Sequence, residues 1–448
     1  MKHLAIRAAV RLPAYRLLPP GATRTYAALR YHGQHPSSQR LTDFVRRIQK
    51  IPVRHHSTAL MAARAAFRAG LDDLVMEALD RIAERFPNSA GQHVLRCDLH
   101  TFYGRYDDAF ESAAQARRMD PHSPAPAARS VRLAYRCWDR DEADELAVAT
   151  IRQFPFDPDA LWAVGDSCLS EEQFHRLHTA WMTRRTKPAD LLRAVRQLAT
   201  AALRARQIDT AIDLYGEAIV LLTSGRRLPV RPAFRRLEGR GAWGAIDDLC
   251  RVLDDAGIPF FFAAGTALGL IREGRPLTAD NDLDVGVLDQ HWDREMLIKL
   301  FTQDPRFDLE LHPLSQKVGI RHRGGSPVDI FRFYPEVGRV WHDGVFVRWH
   351  NSPFHVVRRQ IGSRSLPLPE DADTYLSENY GDWRTPNPAF DPFTDQAPNV
   401  QVTQPDHQRL HLIRRAFKQL TVGDIGAARG SLRLAGADDL ATRLEARS

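Results

Sequence analysis

Asp282 and Asp284 stand one residue apart and follow a glycine–threonine pair, Gly265 and Thr266, within the stretch FFFAAGTALGLIREGRPLTADNDLDVGV from Phe260 to Val287. Side chains two apart on a strand share a face. Leu283, Val285 and Val287 can therefore enter a core while Asp282 and Asp284 project together from the other side. Two carboxylates held side by side repel unless a proton or a cation intervenes. An all-oxygen ligand set favours Mg²⁺, with Mn²⁺ as the alternative, and Mg²⁺ keeps waters and substrate phosphates as its remaining ligands. A glycine turn opening a helix leaves backbone N–H groups and a positive dipole end for a phosphate. Metal-assisted phosphoryl chemistry is what such a set of residues could do.

The elements that would position these groups are short. Residues 259–263 read as a buried strand, the helix that follows closes at Gly274, and a second strand spans 283–287. Ahead of them, Ile246, Leu249 and Leu253 have the spacing of an amphipathic helix over 242–256, ended by Gly257. After Val287, DQHWDREMLIKLF reads as one helix, and strands are expected over 307–311, 317–322, 328–333 and 345–349. Asp329 sits mid-strand among Val328, Ile330 and Phe331, an expensive place for an unpaired charge. It must pair with a cation, either an arginine or a metal. Glu336 and Asp343, in expected turns, are weaker candidates.

Gly265, Thr266, Leu268, Gly269, Ile271, Arg272, Gly274, Asp280, Asp282, Asp284 and Gly286 keep the register of a block that defines the LicD/fukutin family, and the chain resembles that family. Thr278-Ala279 replaces the usual Pro-Trp of the loop, and Asn281 replaces the middle aspartate of a triplet. A second run, LPEDADTYLSENYGDWRTPNP, is similar to the family's closing motif through Tyr375, Leu376, Tyr380, Gly381, Asp382, Trp383 and Pro386. The resemblance covers residues 242–395. It implies a nucleotidyltransferase-like mixed β-sheet domain of the polymerase β-like superfamily. It also implies transfer of phosphocholine, ribitol phosphate or glycerol phosphate from a cytidine-diphosphate donor to a sugar hydroxyl. In that scheme Asp282, Asp284 and Asp329 hold Mg²⁺, with Asp329 near the attacking hydroxyl. Gly265 and Thr266 cradle a phosphate, and Arg272 reaches phosphate oxygens unless it pairs with Asp280 or Glu273. Asp280 orients water or Arg272, and Lys317 is a further phosphate contact. The closing motif is read as structural, an aromatic-capped helix folded back on the sheet.

Upstream, Pro87, Pro121 and Pro155 recur every 34 residues, and Gly70/Gly104 and Ala109/Ala143 share that offset. YGRYDDAFESAAQARRMDP looks like the second half of a tetratricopeptide repeat, and five units fit over 56–228, the fourth degenerate. The expected architecture is α+β: a basic extension (1–55), a tetratricopeptide-like α-helical solenoid (56–228), the sheet domain (242–395) and a short C-terminal segment of two helices (406–448). Residues 229–241 and 389–405 read as linkers. The solenoid could recruit a partner protein or pack on the enzyme as a wing. His175 and His178 lack the glutamate of a zinc motif and read as an ordinary pair.

Composition narrows the rest. The 44% apolar and 26% charged content belongs to a soluble globular protein, and no apolar run approaches a membrane span. Arg7 and Arg11 interrupt the one stretch that could serve as a signal core. Cys97, Cys137, Cys168 and Cys250 form no close pair and read as free thiols. A cytoplasmic protein, peripheral to the inner face of the membrane, is expected. The net charge of +7 admits anionic headgroups, phosphorylated substrates or nucleic acid. Residues 1–50 contain Asp43 as their one acidic residue, which suits a transient contact with anionic lipid or a solvated tail. No RNA-binding module or interleaved basic–aromatic surface is visible, which ranks a nucleotidyltransferase acting on RNA or protein last. A helical scaffold with a degenerate nucleotide binder is the other alternative, against which stands the retention of three mutually repelling carboxylates.

Overall fold

A computed structural model describes residues 21–32, 39–224, 239–278, 280–310, 316–387, 389–394 and 396–445. Most of the basic extension before Ala22, most of the 229–241 linker, and Ala279, Leu311 and Pro388 lie outside the described residues. In the extension two helices are described rather than one, α1 (Ala22–His32) and α2 (Gln39–Val45).

Ten helices follow as five pairs: α3 (His56–Arg68) with α4 (Asp72–Arg85), α5 (Ala90–Phe102) with α6 (Tyr106–Met119), α7 (Pro124–Cys137) with α8 (Arg140–Gln153), α9 (Pro158–Ser167) with α10 (Glu171–Met182), and α11 (Leu191–Arg204) with α12 (Ile208–Ser224). Gly70 and Gly104 take positive φ angles of 75° and 66° and end the first helices of two pairs, a conformation that glycine enters without strain. Ala109, Ala113, Ala143, Ala147 and Ala211 are fully buried, so the helices meet across methyl groups. The fourth pair forms as the others do, its second helix starting at a Ser170–Gln173 capping box. His178 there is half-buried and stacks on Phe174 at 5.4 Å between ring centroids, an aromatic packing role.

Between α12 and the C terminus the chain builds a mixed sheet. Helix α13 (Gly239–Asp255) leads through Gly257 (φ 65°) into β1 (Phe261–Phe262), α14 (Ala264–Glu273) and β2 (Leu283–Leu288). Next come a 3₁₀ turn at Asp289–His291, α15 (Arg294–Gln303), β3 (Phe307–Glu310), β4 (Lys317–His322), β5 (Pro327–Glu336), β6 (Arg339–Asp343) and β7 (Val347–Asn351). The hairpin β8 (Val356–Ile361)/β9 (Arg364–Pro369), α16 (Ala372–Tyr380) and β10 (Val400–Val402) complete the domain. The eight-stranded sheet runs β1-β2-β5-β6-β7-β10, with β4 on β5 and β3 on β4. β2 and β5 are parallel, in a register that sets Asp284 opposite Asp329. β5 is long enough to serve both regions: its first half pairs with β2 and β4, and Tyr334 to Glu336 pair with β6.

Residues 389–405 are no linker. They carry β10, paired to β7, and Asp391, which meets His411 at 2.9 Å and Arg415 at 2.7 Å. The C-terminal segment contains three helices rather than two: α17 (Pro405–Thr421), α18 (Ile425–Leu434) and α19 (Asp438–Glu445). Their Leu410, Ile413, Ala416 and Leu420 share one core with Leu214, Tyr215, Ile219 and Leu222 of α12. The helical array thus resumes after the sheet domain, which is inserted between α12 and α17.

Array and sheet also touch directly. Arg136 of α7 donates to Asp308 (2.7 Å) and to the Leu309 carbonyl (2.7 Å) on β3. Arg323, just past β4, is 6% exposed, pairs with Asp72 at the start of α4 and lies 4.5 Å from the Phe67 ring centroid. These residues of the array serve an intramolecular interface, so the array packs on the sheet domain as a wing.

Candidate active site

The sequence of β2 dictates its two faces. Leu283, Val285 and Val287 are fully buried in the domain core, and Asp284 opens to the other side with Asp282 just before the strand. A Cβ at Gly286 would run into the Phe261 ring, so β1 lies tightly on β2 at that residue. Helix α14 then aims its N-terminus at the carboxylates. Its N-cap, Ala263, offers no side-chain cap, which leaves the first-turn N–H groups of Gly265 and Thr266 without intrahelical acceptors. The Ala264 N–H is taken by the Tyr375 hydroxyl at 3.1 Å, in a turn where Ala264 holds φ at 41°, strained for a residue with a side chain.

Asp280, Asp282 and Asp284 each bring a carboxylate oxygen within 4.8 Å of the others, close enough to share one metal ion. Sequence reasoning gave Asp280 an outer role; the fold brings it into the cluster. A Cβ on Gly265 would collide with Asp280 Oδ2, so the glycine is what lets that carboxylate lie against the helix N-terminus. The place read as a phosphate cradle therefore holds a carboxylate. Thr266 is 1% exposed and its hydroxyl accepts the Asp284 N–H at 2.8 Å, which ties helix to strand instead of facing a ligand.

Asp329, the expected third ligand, lies beside Asp284 in strand register but outside the metal-sized group, and its carboxylate pairs with Lys317. That lysine is thus a partner to Asp329 before it is a phosphate contact. Arg272 is not paired to Asp280: it donates to the Trp383 carbonyl (3.1 Å) and meets Glu273 at 3.3 Å. Its Nε is buried with no partner among the described residues. Glu336 pairs with Arg348 and Asp343 accepts from Tyr334, which removes both from consideration as ligands.

Proton affinities show the strain. Burial, then the neighbouring Asp280 charge, pushes Asp282 up to about 6. Asp284 is raised well above the ordinary range by burial and by Asp282, Asp280 and Asp329. Burial likewise raises Asp280 and Asp329, in the latter against the pull of Lys317. The cluster holds more negative charge than its surroundings neutralise, a condition that a divalent cation relieves. Three converging carboxylates with oxygen donors fit Mg²⁺ or Mn²⁺.

A cavity of about 760 Å³ opens over the cluster, within the ~300–1,000 Å³ typical of small-molecule sites. Its aromatic lining is what sequence reasoning missed. Tyr380, Trp383, Phe390 and Phe393 come from the closing motif and from the supposed linker, and His342 and Trp349 from β6 and β7. The aromatic density of the YGDW run was the available signal.

Comparison with known proteins bears on this region. Residues 257–371 match the family model described as LicD/FKTN/FKRP, nucleotidyltransferase domain. The cluster lies within the matched residues. Curated relatives are ribitol-5-phosphate transferase FKTN of Mus musculus, 24% identical over 160 residues, and of Homo sapiens, 23% identical over 163 residues. In both cases the alignment covers 34% of this chain and 34% of the relative. The chain thus spans about a third of the length of the curated relatives it matches. The match ends at residue 371, before Tyr380 and Trp383, which line the cavity.

Proposed function

We propose that this chain is a transferase that moves a phospho-alcohol group, of the ribitol phosphate, glycerol phosphate or phosphocholine type, from a cytidine-diphosphate donor to a sugar hydroxyl of a cell-surface glycan. The observation that carries the reading is the convergence of Asp280, Asp282 and Asp284 at the mouth of a large cavity within the LicD-matching segment. The ribitol-5-phosphate transferases among the relatives support the group transferred.

Asp280, Asp282 and Asp284 would hold Mg²⁺, which supplies charge neutralisation at the donor's diphosphate. Asp329 lies one strand away and its raised proton affinity suits it to take the acceptor hydroxyl's proton onto a carboxylate oxygen as the new phosphoester bond forms and the diphosphate P–O bond breaks, releasing cytidine monophosphate. Lys317 opposes that rise and orients the Asp329 carboxylate. Arg272, with a buried unpartnered Nε on the cavity wall, is the protein's own cation toward the donor phosphates. Tyr375 holds the turn that aims α14 at the cluster. No helix among the described residues is long and apolar enough to cross a membrane. The proposed site of action is the inner membrane face, where the basic extension would touch anionic lipid.

The test is release of cytidine monophosphate from CDP-ribitol, CDP-glycerol and CDP-choline by purified protein with Mg²⁺ and a panel of sugar acceptors. Turnover of one donor, lost in Asp284→Asn and lowered about 10²–10⁴-fold in Asp329→Asn, is expected. Absence of turnover with every donor, or turnover indifferent to Asp284, would refute the reading.

A further inference from the structure

The cavity has two chemically distinct halves. One is ionic, built from the aspartates and Lys317. The other is aromatic, and the sheet register leads from one to the other. Asp284 pairs across the sheet with Asp329; Phe331, two residues on, shares the face of Asp329. Lys317 Nζ stands 5.2 Å from the Phe331 ring centroid, so that ring marks the boundary. Beyond it, His342 of β6 lies 5.8 Å from Phe331 and is itself stacked between two rings. Phe333 is at 4.3 Å and 22°, and its cross-strand partner Trp349 is at 5.0 Å and 18°. Phe390 and Phe393 also line the cavity, Phe393 with its ring centroid 5.5 Å from that of Trp349.

His342 is the anomaly. It lines the cavity at 4% exposure, and its Nδ1 has no hydrogen-bond partner among the described residues. Burial pushes its pKa down to about 3, so the ring is neutral and carries one donor and one acceptor. Nδ1 is closed off by the protein, and no group among the described residues pairs with the other ring nitrogen, Nε2, so this residue of the cavity lining has a polar edge free for a ligand. A polyol would need many polar partners, which an aromatic wall does not provide. A flat heteroaromatic ring matches both features, stacking on the aromatic side chains and hydrogen-bonding at its edge.

We propose that the aromatic half, with His342 as its polar contact, is the subsite for the nucleobase of the donor. The inference rests on the transferase reading above and adds where and how the nucleotide is held. With Mg²⁺ present, calorimetry on the full chain should show cytidine, uridine or guanosine 5′-monophosphate binding at least about tenfold more tightly than ribose 5-phosphate. His342→Phe keeps the ring stack and removes the nitrogens. Phe390→Ala removes a half-buried ring that packs on Tyr380 at 5.1 Å and leaves the sheet untouched. Each should weaken nucleotide binding about tenfold, leave ribose 5-phosphate unchanged and leave the unfolding transition in place. Equal affinity for ribose 5-phosphate and every nucleotide overturns the subsite. So does nucleotide affinity that survives both substitutions, and transfer activity persisting in that case would leave the transferase reading intact. Nucleotide binding that responds to both substitutions, with no transfer from any donor, would keep the subsite and remove the transferase reading.

Discussion

Asp282→Asn should make the metal-free protein more stable while destroying its response to metal. Burial and Asp280 raise the Asp282 pKa from 3.8 to about 6. A raised carboxylate binds its proton more tightly when folded. Its contribution to stability is thus fully present below about pH 4 and lost as pH climbs through about 6. Above that range the ionised Asp282 costs the folded chain about 3 kcal/mol relative to the unfolded one. Asparagine keeps the shape and removes the charge, so at pH 8 in chelator the variant should gain up to about 3 kcal/mol. At pH 4 the gain should shrink toward zero. For a chain of this size unfolding as one unit, that amounts to a rise of about 3 °C in Tm, and more if the sheet domain melts alone. Mg²⁺ at 100 times its Kd should stabilise the wild type by about 2.7 kcal/mol and the variant by far less. Thermal unfolding at both pH values, with chelator and with Mg²⁺, measures all four corners. A variant no more stable than wild type at pH 8 in chelator would show that the carboxylates do not strain one another, and the argument for a cation would fail.

Gly265→Ala should abolish Mg²⁺-dependent donor turnover without unfolding the protein, because the new Cβ displaces the Asp280 carboxylate while alanine suits the helix; full turnover would refute the packing. Arg323→Ala should cost about 1–3 kcal/mol in chemical denaturation by leaving Asp72, in the array–sheet interface, with the Tyr103 hydroxyl but no cation. Burial pushes Asp72 up, but Arg323 and Tyr103 outweigh it and hold its pKa below the usual range, so the deficit should narrow as pH falls through that lowered value. Tyr375→Phe leaves the Ala264 N–H unpaired in its strained turn and should destabilise by about 1–2 kcal/mol, read by denaturation.

What could be read from the sequence was whatever depends on local period. The alternation around Asp284, the αL glycine at Gly274 (φ 64°) and the strand bearing Asp329 are determined by residues a few positions apart, and they stand where expected. The register of Asp284 against Asp329 is a fact of pairing between strands more than forty residues apart, which no local pattern encodes. Asp280 entered the cluster because Gly265 vacates the space beside it, a tertiary relation between two residues that each look ordinary. The 389–405 segment was misread for a related reason. Its prolines mark irregular backbone, and irregular backbone is buried only when distant partners, here His411, Arg415 and β7, satisfy it.

The same pairings explain why a helical array accompanies so small a site. β3 and β4 form the sheet's last hairpin beyond β5, and an edge hairpin is the part of a sheet most free to shift. Yet β4 carries Lys317, the partner of Asp329, at one end and leads to Arg323 at the other. Asp308 and the Leu309 carbonyl on β3 are held by Arg136 of α7, and Arg323 by Asp72 and Phe67. The array therefore grips both strands of the hairpin that sets the Lys317–Asp329 pair. Removing it would release the hairpin that carries Lys317 from both of these anchors.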